Sequence, residues 1–270
     1  MREEVPTAAA STMVAHRRPP GLREHVRRVA GFTERTDGPM LRRELPTPSV
    51  TLILSFGEPI RISSTAGAGT FTSFLAGMHE IPVDTEHGGA LRCIQVDLSP
   101  LGAYQLLGMP LSELTDAVVG PDLLPLPGWQ DLGERLAALP RWPERFDLLD
   151  HTLGSRFEDG PAADPEVRWA WGRLARSHGA VPVGALAAEV GWSRRHLSAR
   201  FRGQVGLTPK PAARVLRFRR ALSLITTERA ASISDAAAAA GYADHSHLVR
   251  EFRRLAGAPP SALLDELIGQ

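Results

Sequence analysis

Two hydrophobic periods divide this chain. Between residues 50 and 98 the apolar side chains fall in short runs rich in β-branched and aromatic residues, bounded by glycine and proline, as half-buried strands require. Residues 50–56 form one such run, closed by Gly57, Glu58 and Pro59. Residues 60–62 alternate and read as its hairpin partner, and residues 71–76 and 90–98 are further strands. Gly67, Gly69, Gly88 and Gly89 mark turns. Short strands separated by turns predict a small β-sandwich or barrel; Phe56, Phe74 and Leu91 are candidates for its inward side, and the alternation alone leaves open which set points in. From Pro100 the period lengthens. Ser99 and Pro100 open a short helix through Leu107. Residues 129–139 and 143–157 carry the helical stripes Leu132, Leu136, Leu139 and Phe146, Leu149, Leu153. The first stripe is either core or a dimer seam.

The most specific pattern occupies residues 181–270, where a helix–turn–helix unit is written twice. A small-residue helix containing Ala187 and Ala188 is followed by Gly191, Trp192 and Ser193. A second containing Ala237 and Ala238 is followed by Gly241, Tyr242 and Asp244. Each glycine sits where a helix must end in a left-handed residue, and Ser193 and Asp244 are good N-caps for the next helix. With one residue inserted in the second turn, Leu197 matches Leu248, Phe201 matches Phe252, Gly206 matches Gly257 and Pro209 matches Pro260. Leucine and phenylalanine four apart share the inward face of each second helix.

The outward faces suit the major groove of double-stranded DNA. The expected base-reading residues are Arg195, Ser198 and Ala199 in the first unit, and His245, Ser246, Val249 and Arg250 in the second. Arg195 and Arg250 are read as occupying equivalent positions. Arg194, Arg202, Lys210, Arg214 and Arg253 flank these faces as phosphate contacts. Between the units, residues 208–227 read as one basic helix. At 1.5 Å per residue it spans roughly 30 Å, near the ~34 Å between successive major-groove faces.

Over residues 165–265 the chain resembles the AraC/XylS family of bacterial transcription regulators. The likeness is strongest in Ile233, Ser234, Asp235, Gly241 and Tyr242, the run from Asp244 to Arg254, and then Gly257, Pro259 and Pro260. Two positions depart from the family pattern. Ala258 precedes the prolines where a hydroxyl residue is usual, and alanines fill 236–240 where a larger apolar residue is usual. A narrower likeness at 96–116 is to the end of the N-terminal sensor segment of some members. The resemblance implies an α+β chain in three parts. Residues 1–20 would be a disordered N-terminus. Residues 21–160 would be a β-rich, cupin-like or barrel domain with trailing helices that senses a small-molecule effector or forms a homodimer. Residues 161–270 would be an all-α domain of two helix-turn-helix units joined by a long helix, able to find DNA alone. It further implies a sequence-specific regulator with DNA as partner, RNA polymerase if it activates, and no cofactor. Residues 160–164 read as the interdomain linker, with Asp164 capping the next helix.

Charge agrees with this division. Residues 161–270 hold 16 Lys+Arg against 9 Asp+Glu, whereas residues 1–160 hold 15 against 21. A basic part beside an acidic part fits one nucleic-acid-binding domain and one domain with another task. Cys93 is the only cysteine, so no intrachain disulfide can form. With no apolar signal core and no run long enough to span a bilayer, a cytoplasmic protein without membrane contact is expected.

Enzymatic readings find little support. His79, Glu80, Asp84, Glu86 and His87 cluster before Gly88, but lack the two histidines one residue apart of cupin metal sites. A solvated loop is expected there, with no metal. Proteins that repair alkylated DNA carry a related DNA-binding module and a methyl-accepting cysteine. Cys93 lacks the His and Arg flanking that cysteine and reads as structural. No catalytic residues are assigned.

Overall fold

The computed structural model describes residues 8–64, 67–126, 128–227 and 232–268. Ten strands come first: β1 (Ala8–Ala15), β2 (Val26–Thr36), β3 (Met40–Glu44), β4 (Val50–Ser55), β5 (Ile60–Ser64), β6 (Gly67–Phe71), β7 (Phe74–Ala76), β8 (Val83–His87), β9 (Ala90–Leu98) and the short β10 (Val118–Val119). They form two antiparallel sheets. One has six strands in the order β1-β2-β9-β4-β7-β10, the other four in the order β3-β8-β5-β6. The N-terminal region is thus β-rich and the C-terminal region helical, as the hydrophobic periods predict.

Four local expectations are corrected. Residues 8–20 are not disordered. β1 pairs along β2 from Ala8 opposite Thr36 to Ala15 opposite Ala30, and a single 3-10 turn follows at Pro20–Leu22. Residues 1–7 lie outside the described residues. β4 and β5 are not hairpin partners, because β4 pairs with β9 and β7 while β5 pairs with β6 and β8. β4 is buried on both faces, so it takes a central place and the chain changes sheet at the turn after it. Residues 71–76 are split for the same reason, ending β6 in one sheet and forming β7 in the other. Finally, residues 83–87 are strand β8, not loop; its polar residues pair with those of neighbouring strands, Asp84 with Arg43 and Glu86 with Arg61.

Strand alternation sorts the six-stranded sheet into two faces. Val50, Leu52 and Leu54 of β4, with Ile94, Val96 and Leu98 of β9, join the main core. There they pack with α1 (Pro100–Leu107), α2 (Leu132–Ala138) and α3 (Trp142–Asp159). Thr51, Ile53, Leu91, Cys93, Gln95 and Asp97, one residue out of phase, face the other sheet across a cavity. Ser99 caps α1 as expected, accepting from the Gly102 N–H at 3.0 Å. Leu132 and Leu136 are fully buried and Leu139 is half-buried, so most of that stripe is spent in the core. Phe56 does not face the cavity; it packs against Trp142 (6.0 Å), and the Arg145 guanidinium lies over both rings, at 4.9 and 5.0 Å from their centres.

The main core continues into the helical region. Leu111 and Leu114, in a 3-10 turn after α1, share one hydrophobic cluster with Leu197, Phe201 and Val205. The Thr115 hydroxyl donates to the Gly206 carbonyl at 2.6 Å. Asp164 sits at the N-cap position of α4 (Pro165–Arg176), but its side chain does not cap. Its carboxylate instead takes both Arg200 donors, at 2.7 and 2.9 Å. Among the described residues, no helix is long and apolar enough to cross a membrane.

Candidate nucleic-acid interface

Seven helices build the C-terminal region: α4, α5 (Val183–Glu189), α6 (Arg194–Val205), α7 (Pro209–Thr226), α8 (Ile233–Ala239), α9 (His245–Ala256) and α10 (Pro260–Ile268). The repeat is kept at the level of single hydrogen bonds. At the end of α5, Trp192 N–H donates to Ala187 O (3.0 Å) and Gly191 N–H to Ala188 O (3.2 Å). At the end of α8, Tyr242 N–H donates to Ala237 O (2.9 Å) and Gly241 N–H to Ala238 O (3.1 Å). Both are Schellman closures, which need a left-handed residue after the cap. Gly191 and Gly241 supply it, with φ of 71° and 81°. The next helices start alike. Ser193 Oγ accepts from the His196 N–H at 3.1 Å, and Asp244 Oδ1 from the His247 N–H at 2.6 Å. Even the ring contacts repeat, with Trp192 edge-on to His196 (4.4 Å) and Tyr242 edge-on to His247 (5.2 Å).

These bonds hold α6 and α9 by their inner faces. Leu197, Phe201, Leu248 and Phe252 are fully buried. Phe201 packs against Trp171 (6.2 Å) and Phe252 against Phe218 of α7 (4.9 Å). The alanine run leaves Ala236 fully buried at the position Leu186 holds in the first unit. Outward, Arg194, Arg195, Ala199 and Arg202 are exposed on α6 and Ser198 is half-buried. His245, Ser246, Arg250 and Arg253 are exposed on α9 and Val249 is half-buried. Lys210 is exposed at the start of α7. Among the described residues, Arg194, Arg195, Arg202, Lys210, Arg250 and Arg253 have no ion-pair partner.

Two expectations change here. The matched caps put α6 and α9 in register at an offset of one residue, so Arg195 stands opposite Ser246 and Arg250 opposite Ala199. The two guanidiniums are therefore not equivalent. Nor is α7 a basic face open to solvent. Arg214 is half-buried and gives Nε and Nη2 to Glu80 Oε1 of the N-terminal region, at 3.0 and 2.6 Å. Arg217 donates to the Gly179 carbonyl at 2.9 Å. Arg219 lines the inter-sheet cavity, where burial pushes its pKa down. No pattern in the sequence marked Glu80 as a partner for α7, because the two lie far apart in the chain.

That cavity, about 1180 Å³, lies between the sheets. Ile53, Ile60, Ile62, Phe71, Phe74 and Leu91 give it apolar walls. At one place a buried polar group enters the wall. Glu34, 3% exposed, accepts from Arg42 at 2.7 Å and lies 3.4 Å from His87 Nε2. Burial raises the Glu34 carboxyl, but Arg42 and His87 together hold it below its ordinary value. Cys93 lines the same cavity, and burial pushes its thiol up to about 12. An activated nucleophile shows the opposite shift. Among the described residues, no three His, Cys, Asp or Glu side chains come together as a metal site.

Comparison with known proteins places this geometry. Residues 186–266 match a family described as a helix-turn-helix domain. Residues 16–120 match one described as a domain of unknown function (DUF6597). No curated protein matches. Among solved structures, ToxT from Vibrio cholerae is similar over 96% of this chain and 98% of its own, with a TM-score of 0.50 and 12% identity. That likeness is one of fold. The C-terminal domain of AraT, a response regulator from Geobacillus stearothermophilus, is 21% identical over 37% of this chain and 84% of its own, with a TM-score of 0.34. The AraC-like transcriptional activator CuxR is 13% identical over 72% of this chain and 76% of its own, with a TM-score of 0.29. The C-terminal region of the chain is an AraC-type helix-turn-helix domain. The protein is a DNA-binding transcription regulator.

Proposed function

We propose that this regulator reads a specific DNA site with two unlike recognition helices and answers to a small molecule held between its N-terminal sheets. One observation carries the DNA part. Two helices are fixed by the same caps and inner contacts, yet each leaves its outward cations without an ion-pair partner among the described residues. Exposed guanidiniums on rigid helices can give two hydrogen bonds to a guanine edge, while Arg202, Lys210 and Arg253 suit phosphates. The effector part rests on the cavity. Apolar walls with a few polar groups are the usual make-up of a small-molecule site. ToxT has been solved with an unsaturated fatty acid bound; for this chain the argument rests on its own cavity.

Mapping bound sites across a bacterial genome tests the first part. The expected result is a motif with two separated blocks of preference, each weakened by substitutions in only one of α6 and α9. A motif that responds to neither helix would refute the reading. For the second part, the full chain is screened for a small molecule that raises its melting temperature and alters DNA affinity. Cavity-filling Ala76→Phe should abolish both responses. A response that survives it would place the effector elsewhere.

A further inference from the structure

The six residues between β7 and β8 form a strap with two faces. Gly77, His79 and Ile81 line the cavity, as do Asp116 and Ala117 behind them. Glu80 points the other way and meets the DNA-binding domain. Its Oε1 accepts both Arg214 donors, and its Oε2 lies 3.6 Å from Arg254 Nη2. The strap is pinned from behind. Glu80 N–H donates to Asp116 Oδ1 at 3.1 Å, Gly77 N–H to the Ala117 carbonyl at 3.1 Å, and Asp116 holds a left-handed φ of 56°. At the end of α9, Gly257 faces Pro82, the residue that follows the strap's cavity-facing Ile81.

The two arginines are not arbitrary ones. Arg214 lies one helical turn beyond Lys210 on α7, and Arg254 one turn beyond Arg250 on α9. Residues four apart share a helix face. Glu80 therefore sits at the far end of two stripes whose near ends are expected to contact DNA. A carboxylate oxygen that accepts from both Nε and Nη2 of a guanidinium occupies donors a phosphate would use. We propose that Glu80 is a built-in phosphate mimic that withholds Arg214 and Arg254 from the DNA backbone. The strap carrying it is also a wall of the cavity, so a shift of Gly77, His79 or Ile81 would release both arginines together. This inference rests on the DNA-binding reading above.

The test measures binding of the full chain to a mixed-sequence duplex over a range of salt concentrations. Glu80→Gln keeps the shape and removes the charge. It should raise affinity about three- to tenfold at low salt, the scale of one charge-assisted contact. It should also steepen the salt dependence by about 0.9 per phosphate gained. Both gains should vanish when Glu80→Gln is combined with Arg214→Ala and Arg254→Ala. A melting curve confirms that each variant is folded; should Glu80→Gln not fold, Glu80→Ala, which also removes the carboxylate, takes its place with the same expected gains. Unchanged or weaker binding in the folded Glu80 variant would overturn the proposal, since a purely structural role predicts that result. A gain that persists without both arginines would overturn it too. If the wild-type chain shows no salt-dependent DNA binding, the DNA reading itself fails, and the masking with it.

Discussion

Phe252 is the point where the second recognition helix is anchored, and truncating it should cripple one half of DNA recognition while sparing the other. Its ring is fully buried and lies 4.9 Å from Phe218 at 66°. Phe→Ala in a packed core costs about 3–5 kcal/mol, which includes the lost ring pair, worth about 0.5–1.5 kcal/mol. Set against a domain stability of roughly 5–15 kcal/mol, the variant should fold but only marginally. The melting temperature should fall by about 10 °C. Urea unfolding followed by circular dichroism reads the stability. Footprinting on the natural site reads the function: protection should be lost over the block assigned to α9 and kept over the block assigned to α6. Phe252→Leu, which keeps most of the volume, should cost much less on both measures. Stability within about 1 kcal/mol of wild type would refute the anchoring argument, as would full protection of both blocks.

Other expectations follow from single groups. Since burial pushes the Cys93 thiol up to about 12, it should react with a disulfide reagent at pH 8 only after denaturant is added. The fold favours the neutral thiol, so its contribution to stability is complete below the unfolded-state value near 9 and is lost as pH climbs toward 12; a thiol titrating freely in the native chain would contradict this. The buried Tyr242 hydroxyl has no hydrogen-bond partner among the described residues, so Tyr242→Phe should be neutral or stabilising by up to about 1 kcal/mol in urea unfolding. Arg195→Ala should relax preference at one base pair, by roughly 1–3 kcal/mol; a uniform loss across sequences would make Arg195 a phosphate contact. Lys210→Ala should weaken all sequences alike and reduce the salt slope by about 0.9.

The helical half was legible because its information is local. Caps, a left-handed glycine and an i, i+4 pair all act within one or two turns, so Ser193, Gly191, Leu197 and Phe201 announce a unit without knowledge of the rest. The strands were legible where apolar residues recur at strand spacing. β4 reads as a continuous apolar run, and β9 and β5 alternate. β8, with Asp84, Thr85 and Glu86, reads as loop because its charges are satisfied by Arg43 and Arg61 on neighbouring strands. β1 lies at an edge and is specified by its pairing with β2 more than by its composition. Which alternating set faces the cavity was not readable either. It depends on which face of the sheet α1–α3 cover, a tertiary fact. The α7 arginines show the same limit. Their spacing says they are surface residues of a helix, but only the fold brings Glu80 and the cavity against them.

The register of the two units bears on the kind of DNA site a single chain should prefer. Position for position, Arg194 matches His245, Arg195 matches Ser246, Ser198 matches Val249 and Ala199 matches Arg250; among the residues assigned to DNA, only Arg202 and Arg253 are alike. The like pair is the one assigned to phosphate, where every sequence offers the same group. The unlike pairs include every residue assigned to bases. A guanidinium at the second residue of α6 and another at the sixth residue of α9 stand at different heights along their helices, so they would meet a groove at different places. The backbone frame of the repeat is therefore kept where it must meet a repeating backbone, and the side chains diverge where they must tell bases apart. One chain with two such faces does not need a palindrome. It is expected to select two different short words at a spacing set by α7, whose 18 residues give about 27 Å of rise.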